Sequence, residues 1–343
     1  MLWLIGIGIY GFKGISLYSI EILKSIDKIL LEQYTSPIDE SIEILEGVIG
    51  KKISVVPRWY VEDGREILRE AEEKDVALLT YGDPLIATTH IDLLNRAREK
   101  KIKVKTIHNA SAITSIIGES GLHIYKIGRI ATLVNNREAN KSVFKIIYDN
   151  LLHNLHTILL LEYDQEKGFF LDPRDALICL LEIEDDLRYK IIDRETFVIV
   201  ASRVGVNGAI YAGKINSLLK REFGKPPHTI IIPASFHFTE LDALKYIELL
   251  DEPTDNNRDL RNKSEEMVNR YIPRARRALE RARKISLEGF DTSLLLDNAK
   301  RYIDDAESFI RNKEYELSIL SIGYGEGLID AISYLKNIEL WRE

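Results

Sequence analysis

Five short apolar runs, each separated from the next by a stretch of helical period, govern what the first third of this chain can fold into. Leu2 to Ile9, Ile29–Leu31, Ile53–Val56, Val76–Leu79 and Val104–Ile107 read as buried strands. Between them lie an amphipathic pattern from near Ser16, with Leu17, Ile20, Leu23 and Ile26 on one face, a helix-like stretch at 38–46, a charged helix at about 61–73 and a helix from His90 to about Glu99. Strands alternating with helices build a mostly parallel sheet with helices on its faces.

Ligands of such sheets sit beyond the carboxyl ends of the strands, so the loops there matter most. In Leu78 to His90, LLTYGDPLIATTH, the strand stops at Tyr81-Gly82-Asp83-Pro84 and a polar Thr88-Thr89-His90 opens the next helix. Alone, Gly-Asp-Pro is more often an ordinary strand-to-helix turn, and its context has to decide. Gly6 to Gly11 matches G-x-G-x-x-G, and Glu32 stands near where a ribose-binding acid would be. Phe12-Lys13-Gly14 prolongs that loop before any helix begins, which argues against a dinucleotide site. A smaller inference remains: small residues at a strand end let a ligand approach the backbone.

The second half changes character. A polar loop, Ile107 to Ala112, leads into a stretch broken by Gly118, Gly121 and Gly128. Strands recur at Thr157–Leu161, Phe197–Ala201 and Thr229–Ile232, with helical patterns at about 141–151, 173–184 and 213–222. Two α/β lobes are expected, 1–110 and 111–250, then a polar linker at 251–263 and an all-helical domain at 264–343. The helical patterns there run at about 264–286, 291–311 and 313–338, broken at Gly289. Helical period continues through Gly323-Tyr324-Gly325-Glu326-Gly327, so close helix–helix approach is the expected use of those glycines. Arg270, Arg274, Arg277, Arg281 and Lys284 share one face opposite Ile272, Ala275, Leu279 and Ala282. Such a face is either solvated or meets an anionic partner, RNA or an acidic protein.

A net charge of −7 argues against general nucleic-acid binding, and Cys179 within ALICLLEI reads as core. The apolar start MLWLIGIGIYGF lacks a basic lead and is too short to span a bilayer, so no membrane association is expected and the cytoplasm is the default location. His153 and His156 lack nearby acids or cysteines, and no metal site is expected. His228, at a strand start after Pro226-Pro227, is either a site residue or a core histidine. No Ser-His-Asp order is recognisable, and no catalytic residue is assigned.

Together, LIGIGIYG, EQYTS (Glu32 to Ser36), LLTYGDPLIATTH, IHNAS with GLHIYKIG, LHTILLLE, FGKPPHTIIIP and FHFTE resemble, in order over residues 1 to about 250, the diphthine synthases. These are archaeal and eukaryotic methyltransferases of the tetrapyrrole-methylase fold. The resemblance implies a two-lobed α/β protein with mixed and parallel sheets, and a cleft holding S-adenosylmethionine, converted to S-adenosylhomocysteine. It further implies methylation of the amino group of a modified histidine on elongation factor 2, and a homodimer. By motif, the cofactor contacts would be Ile9, Asp83, Ile86, Ser111, Ala112, Leu161, Val204 and His228. Positioning is most of what a transfer from an activated sulfonium needs, and Tyr10 or Tyr81 would face the growing methylammonium. The chain departs from the family pattern at Tyr81, at SRVGV and at ATLVNNREANKS. Its tail resembles a small archaeal helical domain of unassigned function, which suggests a translation-associated partner such as the ribosome. A methylase of the same fold acting on a small molecule such as a tetrapyrrole, or a non-catalytic adaptor, are the alternatives.

Overall fold

The computed structural model describes residues 1–34, 38–164, 167–205, 208–256, 263–285 and 292–341. It divides into two compact units, Met1–Arg258 and Asp259–Glu343. The first unit opens with β1 (Leu2–Gly6), α1 (Leu17–Ser25), β2 (Lys28–Glu32), α2 (Ile42–Ile49), β3 (Ile53–Val56), α3 (Arg58–Asp63), α4 (Arg65–Glu73), β4 (Val76–Thr80), α5 (His90–Glu99) and β5 (Val104–Ile107). The five strands form one parallel sheet in the order β3-β2-β4-β1-β5. Alternate residues serve opposite layers: Leu2, Leu4, Val76 and Leu78 pack with Leu68 and Leu93, whereas Trp3, Ile5, Ala77 and Leu79 pack with Leu23 and Leu45. Both faces being covered, β1 and β4 are buried along their whole length, and β4 is apolar as far as Leu79.

Three expectations are corrected in this lobe. Strand pairing ends at Gly6 rather than Ile9. The helix expected at 61–73 is two, broken at Gly64, which takes φ +59 where an added Cβ would also meet Leu93. Leu17 is not on the buried face: it is 80% exposed, because Ser16 caps α1 and the buried stripe starts at Ser19 and continues at Leu23.

The second lobe comprises α6 (Ala112–Glu119), β6 (Ala131–Leu133), α7 (Arg137–Leu152), β7 (Thr157–Leu161), β8 (Tyr163–Asp164), β9 (Phe169–Phe170), α8 (Pro173–Leu187), β10 (Phe197–Ser202), β11 (Ala209–Lys214), α9 (Ile215–Leu218), β12 (His228–Ile232), α10 (Phe238–Leu244) and β13 (Glu248–Leu249). Its main sheet is mixed, in the order β13-β11-β10-β12-β7-β6. The helix expected at 213–222 is mostly absent. Residues 209–214 form β11 instead, pairing antiparallel with β10, and only the single turn α9 is helical. The backbone groups of β10 on that side need a partner, and that demand outweighs a weak local period. Asn256, buried, accepts from Phe197 N and donates to Phe197 O and Pro233 O. The start of the expected linker is therefore bonded to this lobe as far as Asn256, and 257–262 lie outside the described residues.

In the second unit α11 (Lys263–Ala282), α12 (Ser293–Arg311) and α13 (Tyr315–Lys336) pack pairwise around Ile272, Leu279, Ala299, Ile303, Ile322 and Ile329. Gly289 lies outside the described residues. Of the three glycines in α13, Gly325 alone is at a close approach, with its Cβ position 3.3 Å from Ala299 O; Gly323 and Gly327 meet nothing within 4 Å. Gly325→Val should therefore destabilise this unit by about 1–3 kcal/mol. Gly323→Ala and Gly327→Ala should each stabilise it by about 0.5–1 kcal/mol. Thermal unfolding of the full chain followed by helical circular dichroism checks both, and equal melting of Gly325→Val and wild type would refute the close approach. The basic face of α11 is partly covered by the chain itself: Arg274 lies 5.1 Å from the Trp341 ring and Arg281 donates to Leu340 O.

Candidate functional site

The chain leaves β1 toward β2 on one side and later reaches β5 on the other, so a crevice opens beyond the carboxyl ends of β1 and β4. The loops there are tied to one another. Gly8 and Gly82 exchange backbone hydrogen bonds at 3.1 and 2.9 Å. An added Cβ on Gly6 would lie 2.4 Å from Gly82 O, and one on Gly8, at φ +77, would crowd Asn109 and Gly14 O. The small residues of the first motif thus serve approach of one turn to another, a correction to the expectation that they admit a ligand.

Two side chains complete the lock. Asp83 Oδ2 accepts from His108 Nδ1 at 2.8 Å and Asn109 N at 3.2 Å, while Oδ1 accepts from Leu85 N at 2.9 Å. Asn109 Nδ2 donates to Gly6 O and Gly14 O, both at 3.0 Å. The first Gly-rich turn, the GDP turn and the IHNAS loop are one hydrogen-bonded assembly. Ser111 then caps α6, its Oγ accepting from Ile113 N.

The second lobe supplies the facing wall from the ends of β7 and β10 and the start of β12, enclosing a cleft of about 570 Å³. That volume suits a cofactor-sized molecule. Asp83, Ile86, Ser111, Ala112, Leu161, Val204 and His228 all line it. Ile9 does not: it lies where the lobes meet, its carbonyl accepting from Tyr81 Oη at 2.8 Å and pressed against Gly205. Tyr81 lines the cleft with its hydroxyl committed to that bond, and the half-exposed Tyr10 is not among the lining residues. A larger hollow, about 690 Å³, takes in Val204 and none of the other seven.

His228 is buried, and Nε2 lies 3.3 Å from Phe223 O. A carbonyl can only accept, so Nε2 carries the proton and Nδ1 presents a lone pair. Burial holds the ring's pKa below its ordinary value, hence neutral. Among the described residues Nδ1 has no partner, a costly arrangement for a buried acceptor unless a ligand supplies the donor.

Several lining residues carried no signal of their own. Arg203, at φ +49, reaches from the second lobe to Asp39 of the first at 2.5 Å and stands beside Tyr81 and Tyr163. Its neighbour Val204 marked the segment, but pairing with a residue 164 positions away is invisible in sequence. Tyr34, inside EQYTS, also lines the cleft, while Thr35 and Ser36 of that motif lie outside the described residues. The motifs GLHIYKIG and FHFTE are elsewhere and structural. They meet at Glu240, which accepts from His123 N, Lys126 Nζ, His156 Nε2 and His237 N. Among the described residues there is no grouping of three metal-ligating side chains, and no helix is long and apolar enough to cross a membrane.

Residues 1–219 match the family of tetrapyrrole (corrin/porphyrin) methylases, and residues 270–338 match a family of unknown function, DUF357. A diphthine synthase of Methanococcus vannielii is 40% identical over 253 residues, 72% of this chain and 98% of that relative. One of Methanocaldococcus jannaschii is 39% identical over 254 residues, with the same coverage. A crystal structure of an Entamoeba histolytica protein described as a diphthine synthase superposes with a TM-score of 0.67 at 34% identity, over 72% of this chain and 98% of that one.

Proposed function

The chain belongs to the diphthine synthases of the tetrapyrrole methylase family, and from that premise we propose that it methylates the amino group of the modified histidine of elongation factor 2. It is a methyltransferase of diphthamide biosynthesis. The similarity over nearly the whole length of the methanococcal enzymes carries this reading.

The methyl donor we propose is S-adenosylmethionine, seated in the interlobe cleft. The fit rests on the Nδ1 of His228, without a partner among the described residues and suited to an amino or hydroxyl donor, and on a wall of small and apolar residues, Ala112, Ile86, Leu161 and Val204. Asp83 and Ser111 would act chiefly by holding the backbone of their loops, and Ile9 through its contacts with Tyr81 and Gly205. When bound, the donor supplies an already activated methyl group on sulfur. The protein's part is to shape the cleft, exclude water and hold the amine in line, an alignment worth roughly 7–11 kcal/mol of barrier.

The homodimer, the cytoplasmic setting and an anionic, translation-associated partner for the helical unit belong to the same proposal. The last rests on the exposed Arg270, Arg277 and Lys284. Mass spectrometry of elongation factor 2 carrying the modified histidine, before and after incubation with the protein and S-adenosylmethionine, should show added methyl groups. An unchanged mass would defeat the reading. Absence of S-adenosylmethionine binding by calorimetry would leave only an adaptor.

A further inference from the structure

A phenol at the cleft wall and a buried imidazole behind it have no part in the cofactor contacts. Tyr34 follows β2 and lines the cleft, and its Oη lies 3.1 Å from His90 Nε2. His90 opens α5 and is buried, its Nδ1 3.0 Å from Pro84 O and 3.5 Å from Thr80 Oγ1. The carbonyl of Pro84 accepts only, so Nδ1 carries the ring proton. In the neutral ring Nε2 is then a bare acceptor, and the proton between Oη and Nε2 belongs to Tyr34. Burial pushes the His90 pKa below its ordinary value, and burial also raises that of Tyr34. Both rings are held in these protonation states at neutral pH.

With its one proton committed inward, the Tyr34 oxygen has lone pairs alone to offer the cleft. Any polar group that meets it must be a donor. An amine about to be methylated has N–H bonds to spare and one lone pair that must stay free for the methyl carbon. A hydroxyl able to donate would compete for that pair. We propose that Tyr34 accepts an N–H of the substrate amine and so turns its lone pair toward the methyl group, and that His90 is the positioning residue that keeps Tyr34 an acceptor. This rests on the amine-methylation reading above.

The chemistry balances without a protein base. The ammonium gives one proton to water; the nitrogen pair then forms the bond to the methyl carbon while the carbon–sulfur pair departs with sulfur. A thioether and an N-methylated ammonium result, and that ammonium releases a proton before any further addition.

Acid should reverse the arrangement. Protonation of His90 makes Nε2 a donor to Oη and frees the phenolic proton to point into the cleft. The charged and titratable groups facing the pair are Glu32, Glu62 and Arg58 around Tyr34, the last 5.9 Å from its ring; against His90 stand the polar atoms Pro84 O and Thr80 Oγ1. The single-turnover rate of wild type should fall with a slope of one in pH through amine protonation, steepening to two below the His90 pKa. Tyr34→Phe should be roughly 30–100-fold slower with a slope of one throughout. Its affinity for S-adenosylmethionine by calorimetry should stay within about threefold of wild type, since the lost contact is to the amine.

Nitrogen NMR of His90 gives a reading independent of turnover: a protonated Nδ1 and bare Nε2 in both proteins, with the Nε2 resonance moved in Tyr34→Phe by loss of its hydrogen bond. A variant with the wild-type rate, or one retaining the two-slope profile, overturns the proposal. So does a variant whose only defect is cofactor affinity. If wild type adds no methyl to elongation factor 2, the functional reading falls and this inference with it. Methylation by wild type with an unaltered Tyr34→Phe removes this inference alone.

Discussion

Asp83→Ala should weaken S-adenosylmethionine binding by about 100-fold, close to 2.8 kcal/mol. The carboxylate accepts from two backbone N–H groups, Leu85 and Asn109, and from His108 Nδ1. Hydrogen bonds to a charged group contribute about 1.5–3 kcal/mol each, and here they join the GDP and IHNAS loops, both of which line the cleft. Alanine frees Asn109 and Leu85 N at once, and the IHNAS loop loses its register against Gly82. Asp83→Asn should cost about tenfold, since one oxygen still accepts while the amide opposes the remaining donors. Calorimetry at a temperature where each variant remains folded measures this. Wild-type affinity in Asp83→Ala would show that the loops hold their places without it.

Glu240→Ala should have the largest effect on stability and little on the cleft. The carboxylate is fully buried and bonded to His123 N, Lys126 Nζ, His156 Nε2 and His237 N. His156 is fixed as the Nε2–H form because its Nδ1 accepts from Ala234 N at 2.9 Å. Removing one member of such a buried ionic network costs about 3–5 kcal/mol, or roughly 10 °C of melting temperature for a unit of this size. Glu240→Gln, which keeps one acceptor oxygen, should lose about half as much. S-adenosylmethionine affinity of the folded variants should stay within about threefold of wild type, because His156 sits at the start of β7 and the cleft at its far end.

The same residue sets an acid limit. Burial pushes the Glu240 pKa up, but hydrogen bonds from His237 N, Lys126 and His123 N outweigh it and bring it from 4.5 down to about 2. Because the folded value lies below the ordinary one, the stabilisation, roughly 3 kcal/mol, is complete above about pH 4.5 and drains away as the pH falls toward 2. Acid unfolding of Glu240→Gln should lack that limb. A difference under 1 kcal/mol between Glu240→Ala and wild type at pH 7 would contradict the whole account.

Motifs that look alike in sequence serve different ends in the fold. GDP and IHNAS frame a cleft, whereas GLHIYKIG and FHFTE are joined through Glu240 at the opposite end of β7. Polar residues in short loops read the same whether they meet a ligand or one another, since both uses favour the same backbone freedom and hydrogen-bonding groups.

What the sequence by itself determined is the periodic part. Runs such as Val76–Leu79 between helical patterns made a parallel α/β lobe, and Ile272, Ala275 and Leu279 at helical spacing marked the buried face of α11, because burial of an apolar stripe is a local property repeated along the chain. The ordered motifs named a family and gathered seven of eight expected residues around one cleft. Tertiary structure decided the rest. Residues 209–214 became β11 because β10 offered open backbone groups, and Gly6 faced Gly82 rather than a ligand. Tyr34 met His90 56 residues away, and Arg203 met Asp39 across the lobes. Each is set by a partner distant in the chain, and no pattern within a single segment records which partner folding will bring.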